Sequence, residues 1–538
     1  MKKTTTRLII FLLILSAQLV AQSAGDFYDV ASIHDLKITF SQKNWANSLD
    51  SNRLNGDDML VGTVTIDGST YENVGISYVK SPSYQTSSLH NPWLIRLNLI
   101  DKKQAHQGYK TLMISHALRD PSLVREVLGY EIMRRYIPSP RANYVNMTVN
   151  NVNKGVYVNV EAIDEPFLQR NFNYTEGSLF RCVPDVRATP LPDCNGTNFG
   201  SLRYEPNAKC YLRNFELMSK DGWDDLIELT RYLQNDSEHI GKALNLDRTL
   251  WFLALQNVMV NLNSYEGQFS GNYYLYRDAN GQFNFMPTEM NLNFGSFKNV
   301  NGSSDLDFDG LVTLDPLLQL NNPMKPLISQ ILKNQDNRKI YMSHIRQILA
   351  DWFDNDAYKT RAETLQRLIA KAYDATAEKP YETADFQRSL LETVGKVTRI
   401  PGIVELMSKR AKFLKKYPDL LNVPPKVSEI NFSNRQKFVA KTVTEFRIKA
   451  KVDNFPRRVR LFYRPVGTTT AFTEVQMMDD GKSHDVEAGD KIFGISIMPK
   501  GFEAIEYYIL AESAGGVTFE PANYFNQLRK ISLTELNK

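Results

Sequence analysis

Two changes of hydrophobic period divide this chain into three blocks, and they restrict its architecture more than any single motif. From Asp35 to Glu161 apolar residues alternate, or run in short bursts between Gly, Asn and Asp turns, in "LKITF", "LVGTVTID", "YENVGISYV", "PWLIRLNLI", "KTLMISH" and "YVNMTVN". Period two with such punctuation predicts strands. One segment breaks the pattern: "DPSLVREVLGYEIMRRY" has a proline near its first turn and apolar residues at Leu123, Val127, Leu128, Ile132 and Met133. That spacing predicts a single embedded helix. An irregular stretch follows between Pro166 and Lys220. Then helical periodicity takes over in "DGWDDLIELTRYLQN", in "DRTLWFLALQNVMVNLNS" with an Asp cap, and in an array from Pro316 to Leu421 that includes "PLISQILKNQDNRKIYMSHIRQILADWF" as one helix. The prolines of "YPDLLNVPPKVSEINF" mark a linker. Beyond them only short alternating strands remain, which predicts an immunoglobulin-like or fibronectin-like sandwich. No internal repeat or low-complexity tract interrupts this order.

Length and composition fit two or three folded domains: 538 residues, 42% apolar and 23% charged. A net charge of +4 with no long basic stripe gives no reason to expect a nucleic-acid partner. The N-terminus, "MKKTTTRLIIFLLILSAQLVAQSAGD", has a basic start, an apolar run and small residues at Ala21, Ser23 and Ala24. This predicts a secretory signal over residues 1–24, and so a bacterial protein that is secreted, periplasmic or held at the cell envelope. The run from Leu8 to Ala21 is shorter than the roughly 20 residues of a membrane span; an uncleaved anchor is the alternative, and no transmembrane span is expected after cleavage. After export, Cys182, Cys194 and Cys210 permit one disulfide and leave one thiol. Cys182–Cys194 is the nearest pair in sequence, and a zinc site is the other option.

Two acidic loops are ambiguous. "SSDLDFDG" (Asp305, Asp307, Asp309) and "DDGKSHDVEAGD" (Asp479, Asp480, Asp485, Asp490) offer closely spaced carboxylates that suit calcium, or are turns built on Asp and Gly. No Ser–His–Asp or Cys–His arrangement stands out, and His116 and His239 read as structural or exposed. A hairpin, "NYYLYRDANGQFNFM", leads into the polar knot "PTEMNLNFG", which has the outline of a metal site at a strand end. It holds one acid, Glu289, among Asn291 and Asn293.

Several segments, in order over roughly Asp35 to Pro418, resemble the spore coat protein H (CotH) kinase family of atypical secreted kinases. "IHDLKITFSQKNWANSL" is similar to the family's opening strand and helix, and "STYENVGISYVKSPSY" to its "VGIRYKGNSS" segment. "DPSLVREVLGYEIMRR", "GVYVNVEAIDEPFLQRNF" and "GNYYLY" resemble further signatures, and "PTEMNLNFG" aligns with "PWDxDxxFG". The resemblance implies an α+β, two-lobed kinase-like fold: a β-rich small lobe over 25–165, a mainly helical large lobe over 166–421, and the linker and C-terminal sandwich over 422–538.

The resemblance also implies roles. Phosphoryl transfer needs the nucleotide phosphates held, their charge met by metal, and the acceptor oxygen aligned. Lys80 and Glu126 take the places of the phosphate-gripping lysine and its helix glutamate; read without the family they are a surface lysine and a solvated helix residue. Arg125 is placed either to touch phosphate or to make a surface ion pair. Asn272 matches a family asparagine that orients metal or loop, or simply begins a strand. Three departures stand out. Ser81 and Pro82 replace a Gly and an Asn after the lysine, and Pro82 brings no N–H. Asn263 occupies the place of the family's catalytic aspartate, and an amide takes up no proton near pH 7. Glu289 and Asn291 replace the two metal-side aspartates, and Thr288 the tryptophan. The expectation is a weakened metal site. An active enzyme would need ATP with Mg or Mn, and an inactive one no cofactor. Three functions stay open: an inactive or weakened, pseudokinase-like binding and scaffolding module for an exported protein or surface glycan; an active secreted ATP-dependent protein kinase; and a structural envelope protein.

Overall fold

The computed structural model describes residues 26–532, apart from 57, 82, 83, 89, 187, 188, 190, 196–198, 303, 378, 437–442, 483, 484, 499 and 500. The N-terminal signal segment and Pro82 lie outside the described residues. No helix among those described is long and apolar enough to cross a membrane.

The strand-patterned first block folds as a closed barrel, where the sequence pattern suggested only a sheet. Its strands are β1 (Ile33–Thr39), β2 (Leu60–Ile66), β3 (Ser69–Tyr78), β4 (Trp93–Arg96), β5 (Thr111–Ser115), β6 (Ala142–Val149) and β7 (Val152–Glu161), in the order β1-β2-β3-β4-β5-β7-β6. Parallel pairing of β1 with β6, from Ile33 opposite Tyr144 to Ile38 opposite Val149, closes the ring. Closure removes sheet edges. Alternate residues such as Leu36, Ile38, Val64, Ile66, Val74, Ile76, Ile95 and Leu112 point inward and form a core of their own.

Two helices accompany the barrel strands, not one. The first, α1 (Trp45–Asn55), buries only Leu49 and Asp50. So narrow a face leaves little periodic signal, and only the family resemblance pointed to it. The second, α2 (Arg125–Arg134), is buried nearly all round. Its apolar residues belong to the core of the large lobe, so it serves as a wedge between the barrel and the rest. A short helix, α3 (Glu165–Phe172), follows β7.

The large lobe also carries a sheet: β8 (Leu179–Cys182), β9 (Phe215–Leu217), β10 (Tyr273–Arg277) and β11 (Phe283–Pro287), in the order β11-β10-β8-β9. Between β9 and β10 lie α4 (Trp223–Asn235) and α5 (Leu246–Val258). The Asn245 side chain caps α5 by accepting from the Arg248 N–H at 3.2 Å, in place of the expected aspartate. Further on, the expected single long helix divides into Pro326–Ile331 and Gln335–Ile348, because Asn334 caps a new start by accepting from the N–H groups of Asp336 and Asn337. In the acidic loop at 305–309, Asp307 caps the helix Phe308–Val312 and Asp309 sits in its first turn.

The cysteines pair as Cys194–Cys210, not as the pair nearest in sequence, Cys182–Cys194. Cys182 ends β8 inside the core, where burial pushes its thiol up and a thiolate is disfavoured. Cys194 and Cys210 lie in the irregular stretch outside that sheet.

The tail is all β. Strands β12 (Lys426–Gln436), β13 (Val443–Asp453) and β16 (Ile492–Ile497) form one sheet. Strands β14 (Arg458–Pro465), β15 (Thr473–Met477), β17 (Ala504–Glu512), β18 (Val517–Glu520) and β19 (Arg529–Ser532) form the other. Ile505, Tyr507, Ile509 and Ala511 of β17 face the first sheet, while Tyr508 and Leu510 join the core of the helical lobe. Burial of both faces explains why "AIEYYILAE" is nearly all apolar. The connecting segment is pinned rather than loose: the Arg346 guanidinium donates to the carbonyls of Asp419 and Asn422 at 2.8 and 3.3 Å.

Candidate functional site

Residues far apart in sequence meet where α2, the turn after β11 and the loop after α5 come together. Backbone in the left-handed region clusters there on non-glycine residues: Val260 at φ 52°, Ser270 at 44°, Asn272 at 56°, Glu289 at 55° and Phe294 at 49°. For a β-branched residue such as Val260 this is a true outlier. Each such residue costs about 1–3 kcal/mol and persists only where its surroundings dictate it. An ordinary hairpin exit has no need of that set.

The side chains explain how the turn is held. Asn263 donates from Nδ2 to the main-chain oxygen of Glu289 at 3.3 Å, and its own backbone N–H donates to Asn261 Oδ1 at 3.2 Å. Asn272 donates from Nδ2 to both the carbonyl and the Oδ1 of Asn263, at 2.9 and 3.0 Å. Asn293 donates to the carbonyl of Arg125 at 3.2 Å and so ties the turn to α2. Asn263, Asn272 and Glu289 are therefore brought together, the two asparagines as amides already engaged with each other.

Glu126, Glu289 and Asn291 line one small cavity of about 30 Å³, together with Ser115, His116, Tyr130 and Thr288. Glu126 is buried rather than solvated, and its carboxyl is pushed up to about 8. Burial is the main cause; nearby Glu289 and Asp120 add to it, and a hydrogen bond with Ser115 opposes it. Glu289 is also raised, again chiefly by burial, against the pull of Arg181 and a hydrogen bond with Ser81.

Lys80 stands elsewhere. It is exposed on the wall of a neighbouring cleft of about 650 Å³ between the barrel and the β8–β11 sheet. No ion pair joins Lys80 to Glu126, so the expected lysine–glutamate couple is not assembled in this conformation. Arg125 serves neither of its expected roles. Its guanidinium is fully buried, pairs with Asp120 at 2.9 Å and donates to the Pro401 carbonyl. It locks α2 to the large lobe.

The residue that sequence reasoning missed is Arg181. It lines the large cleft, is only 7% exposed, and donates to the Lys80 carbonyl at 3.0 Å. Burial works against its charge, yet Tyr274, Glu289 and Glu216 outweigh that and hold its pKa above the ordinary value. Arg181 thus pairs with Glu216 at 3.7 Å and is also close enough to act on Glu289. The available signal was an arginine inside "LFRC", a four-residue strand buried throughout.

A divalent ion of the kind the kinase resemblance implies fits this arrangement poorly. Magnesium keeps several waters and takes one or two ionised carboxylates plus phosphates, and the turn offers a single acid, Glu289, beside Asn291. Burial raises the Glu126 carboxyl to about 8, and Arg181 already supplies positive charge near Glu289. Glu126 Oε2, Asn272 Oδ1 and Asn291 Oδ1 are buried without hydrogen-bond partners among the described residues. Two of these are amide oxygens, which a neutral donor such as water satisfies without any demand for ionic charge.

The family model described as CotH kinase protein matches residues 85–414. The span takes in Glu126, Asn263, Asn272, Glu289 and Asn291, and leaves out Lys80 and the C-terminal strands. The chain is also 23% identical over 326 residues to "Inner spore coat protein H" of Bacillus subtilis (strain 168), covering 59% of this chain and 80% of that protein.

Proposed function

The chain belongs to the CotH kinase protein family, and from that premise we propose that it is a kinase-shaped binding module with little or no phosphoryl transfer. In this reading it is exported, and its cleft and C-terminal β-sandwich hold an exported protein or a surface glycan at the cell envelope. The observation that carries the proposal is the partner of Glu289. An active metal-side acid would keep its charge for the ion and the phosphates. This one is buried, and the nearby Arg181 guanidinium already draws on its charge. The amide at position 263 supports the same reading, because it cannot accept the acceptor's proton. A general base typically contributes about 10²–10⁴-fold to rate.

A second reading, residual ATP-dependent kinase activity, draws on the cleft of about 650 Å³, whose wall includes Lys80, Arg96, Lys102 and Arg181. That volume and charge suit a nucleotide. The two readings part on metal. Thermal unfolding of the full chain with ATP, with and without Mg or Mn, is expected to show no stabilisation that depends on the ion. Asn263→Asp with Asn291→Asp is expected to create such dependence. Metal-dependent stabilisation of the wild type by ATP overturns the inactive reading, and a double variant that behaves like wild type overturns the site assignment.

A further inference from the structure

A second cluster of acids lies far from the kinase-like cleft, in the loop between β15 and β16. Asp479, Asp485 and Asp490 each bring a carboxylate oxygen to within 4.8 Å of the others. Acidic side chains on a surface turn usually splay apart. Here the backbone gathers them. Asp479 accepts from the N–H groups of Gly489 and Lys491 at 2.6 and 3.1 Å. Asp490 accepts from the N–H of Ile492 at 2.8 Å. Asp485 accepts from the N–H of Gly481 through Oδ2 at 2.7 Å.

Those bonds alone make a turn and not a site. The separate observation is the other oxygen of Asp485. The residue is 6% exposed, and its Oδ1 is buried with no hydrogen-bond partner among the described residues. A buried, unsatisfied carboxylate oxygen is costly unless something positive meets it. No described lysine or arginine does so: Lys491 extends to Asp453 at 3.3 Å instead. Three carboxylates therefore gather where one of them keeps a buried oxygen without a donor.

We propose that Asp479, Asp485 and Asp490 form a calcium site in the C-terminal β-sandwich. All three side chains offer hard oxygen, and no sulfur or imidazole belongs to the group, which favours calcium over zinc. Asp479 and Asp490 are only half-buried, which leaves room for the water ligands that complete six to eight oxygens. Such an ion would clamp the loop to the sandwich core, since Met477 before the loop is buried and Met478 pairs with Gly494 beyond it. The proposal does not depend on whether the kinase-like cleft is active.

The test uses the full chain freed of metal with a chelator. Titration with calcium chloride, followed by calorimetry and by thermal unfolding, should give one site with a dissociation constant on the order of 10⁻⁴–10⁻³ M or tighter, as in extracellular modules. The melting temperature should rise with calcium above that constant, and less with magnesium. Asp485→Asn should abolish the rise while leaving the metal-free melting temperature unchanged or higher, because mutual repulsion falls. If that variant does not fold, Asp490→Asn serves the same purpose from the half-buried side. No binding up to several millimolar calcium, an equal response to magnesium, or a response that survives both substitutions overturns the proposal.

Discussion

Glu126 is where the kinase-like plan and the physical chemistry of this chain diverge most plainly. The resemblance casts it as the ionised partner of a lysine, but it is buried beside Glu289 with a pKa of about 8 against an ordinary 4.5. A folded pKa above the unfolded one means the folded state holds the proton more tightly. The resulting stability is complete below about pH 4.5 and is lost as pH rises through 8. Glu126→Gln removes the titration and preserves the shape. The wild type should lose stability relative to this variant between pH 5 and 8.5, by up to roughly 3–5 kcal/mol. Urea unfolding of both proteins across that range checks it, and parallel pH profiles would show that Glu126 is already ionised in the folded chain. The identity of this position was legible because a family segment named it, whereas its environment was not. Burial of Glu126 depends on β11 delivering Thr288 and Glu289 against α2, a contact between residues about 160 positions apart that no local pattern encodes. Arg181 was illegible for the same reason.

At the scale of elements, the site is built by the approach of α2 to the turn at 290–293. Gly129 permits that approach. A Cβ built there would lie 2.1 Å from Asn293 Nδ2 and 3.0 Å from Met290 Cε. Glycine inside a helix ordinarily costs about 1 kcal/mol relative to alanine, so a free position would gain from the change. Here the sign reverses. Asn293 is fully buried and its amide is committed to the Arg125 carbonyl, so it has nowhere to swing. Gly129→Ala should destabilise the protein by about 1–3 kcal/mol, read as a lower urea midpoint with an unchanged slope. A gain in stability would mean that the helix and the turn are less closely packed than described. Elements with broad apolar faces, such as α4 and α5, stood out in the periodicity. The helix α1 did not, because it buries two residues, and barrel closure did not, because the parallel partner of β1 lies across the whole first block.

The molecule as a whole is more continuous than its composition suggests. A proline-rich stretch at the start of the tail reads as a linker, yet the core of the helical lobe extends directly into the outer face of the tail's second sheet. Tyr524 forms the joint. Its hydroxyl donates to the Asp247 carboxylate at 2.8 Å and accepts from Trp251 Nε1 at 3.0 Å. The His344 ring stacks on Trp251 with centroids 3.7 Å apart and packs against Phe519 on its other side. The barrel joins the same core through Ala142 and Tyr144 of β6 and Val156, Val158 and Val160 of β7, and barrel and sandwich each keep an inner core besides. Helical lobe and sandwich should therefore unfold together. Replacing Tyr524 by alanine opens a cavity, leaves Trp251 Nε1 without its partner and Asp247 with His344, a loss of about 3–5 kcal/mol. It should also split the shared calorimetric transition, with the sandwich separating from the lobe. A wild type in which the sandwich already melts independently would show that this joint carries no coupling. A ligand held by the tail would then have no energetic route through Tyr524 to α5, the helix that leads into the Asn263 loop.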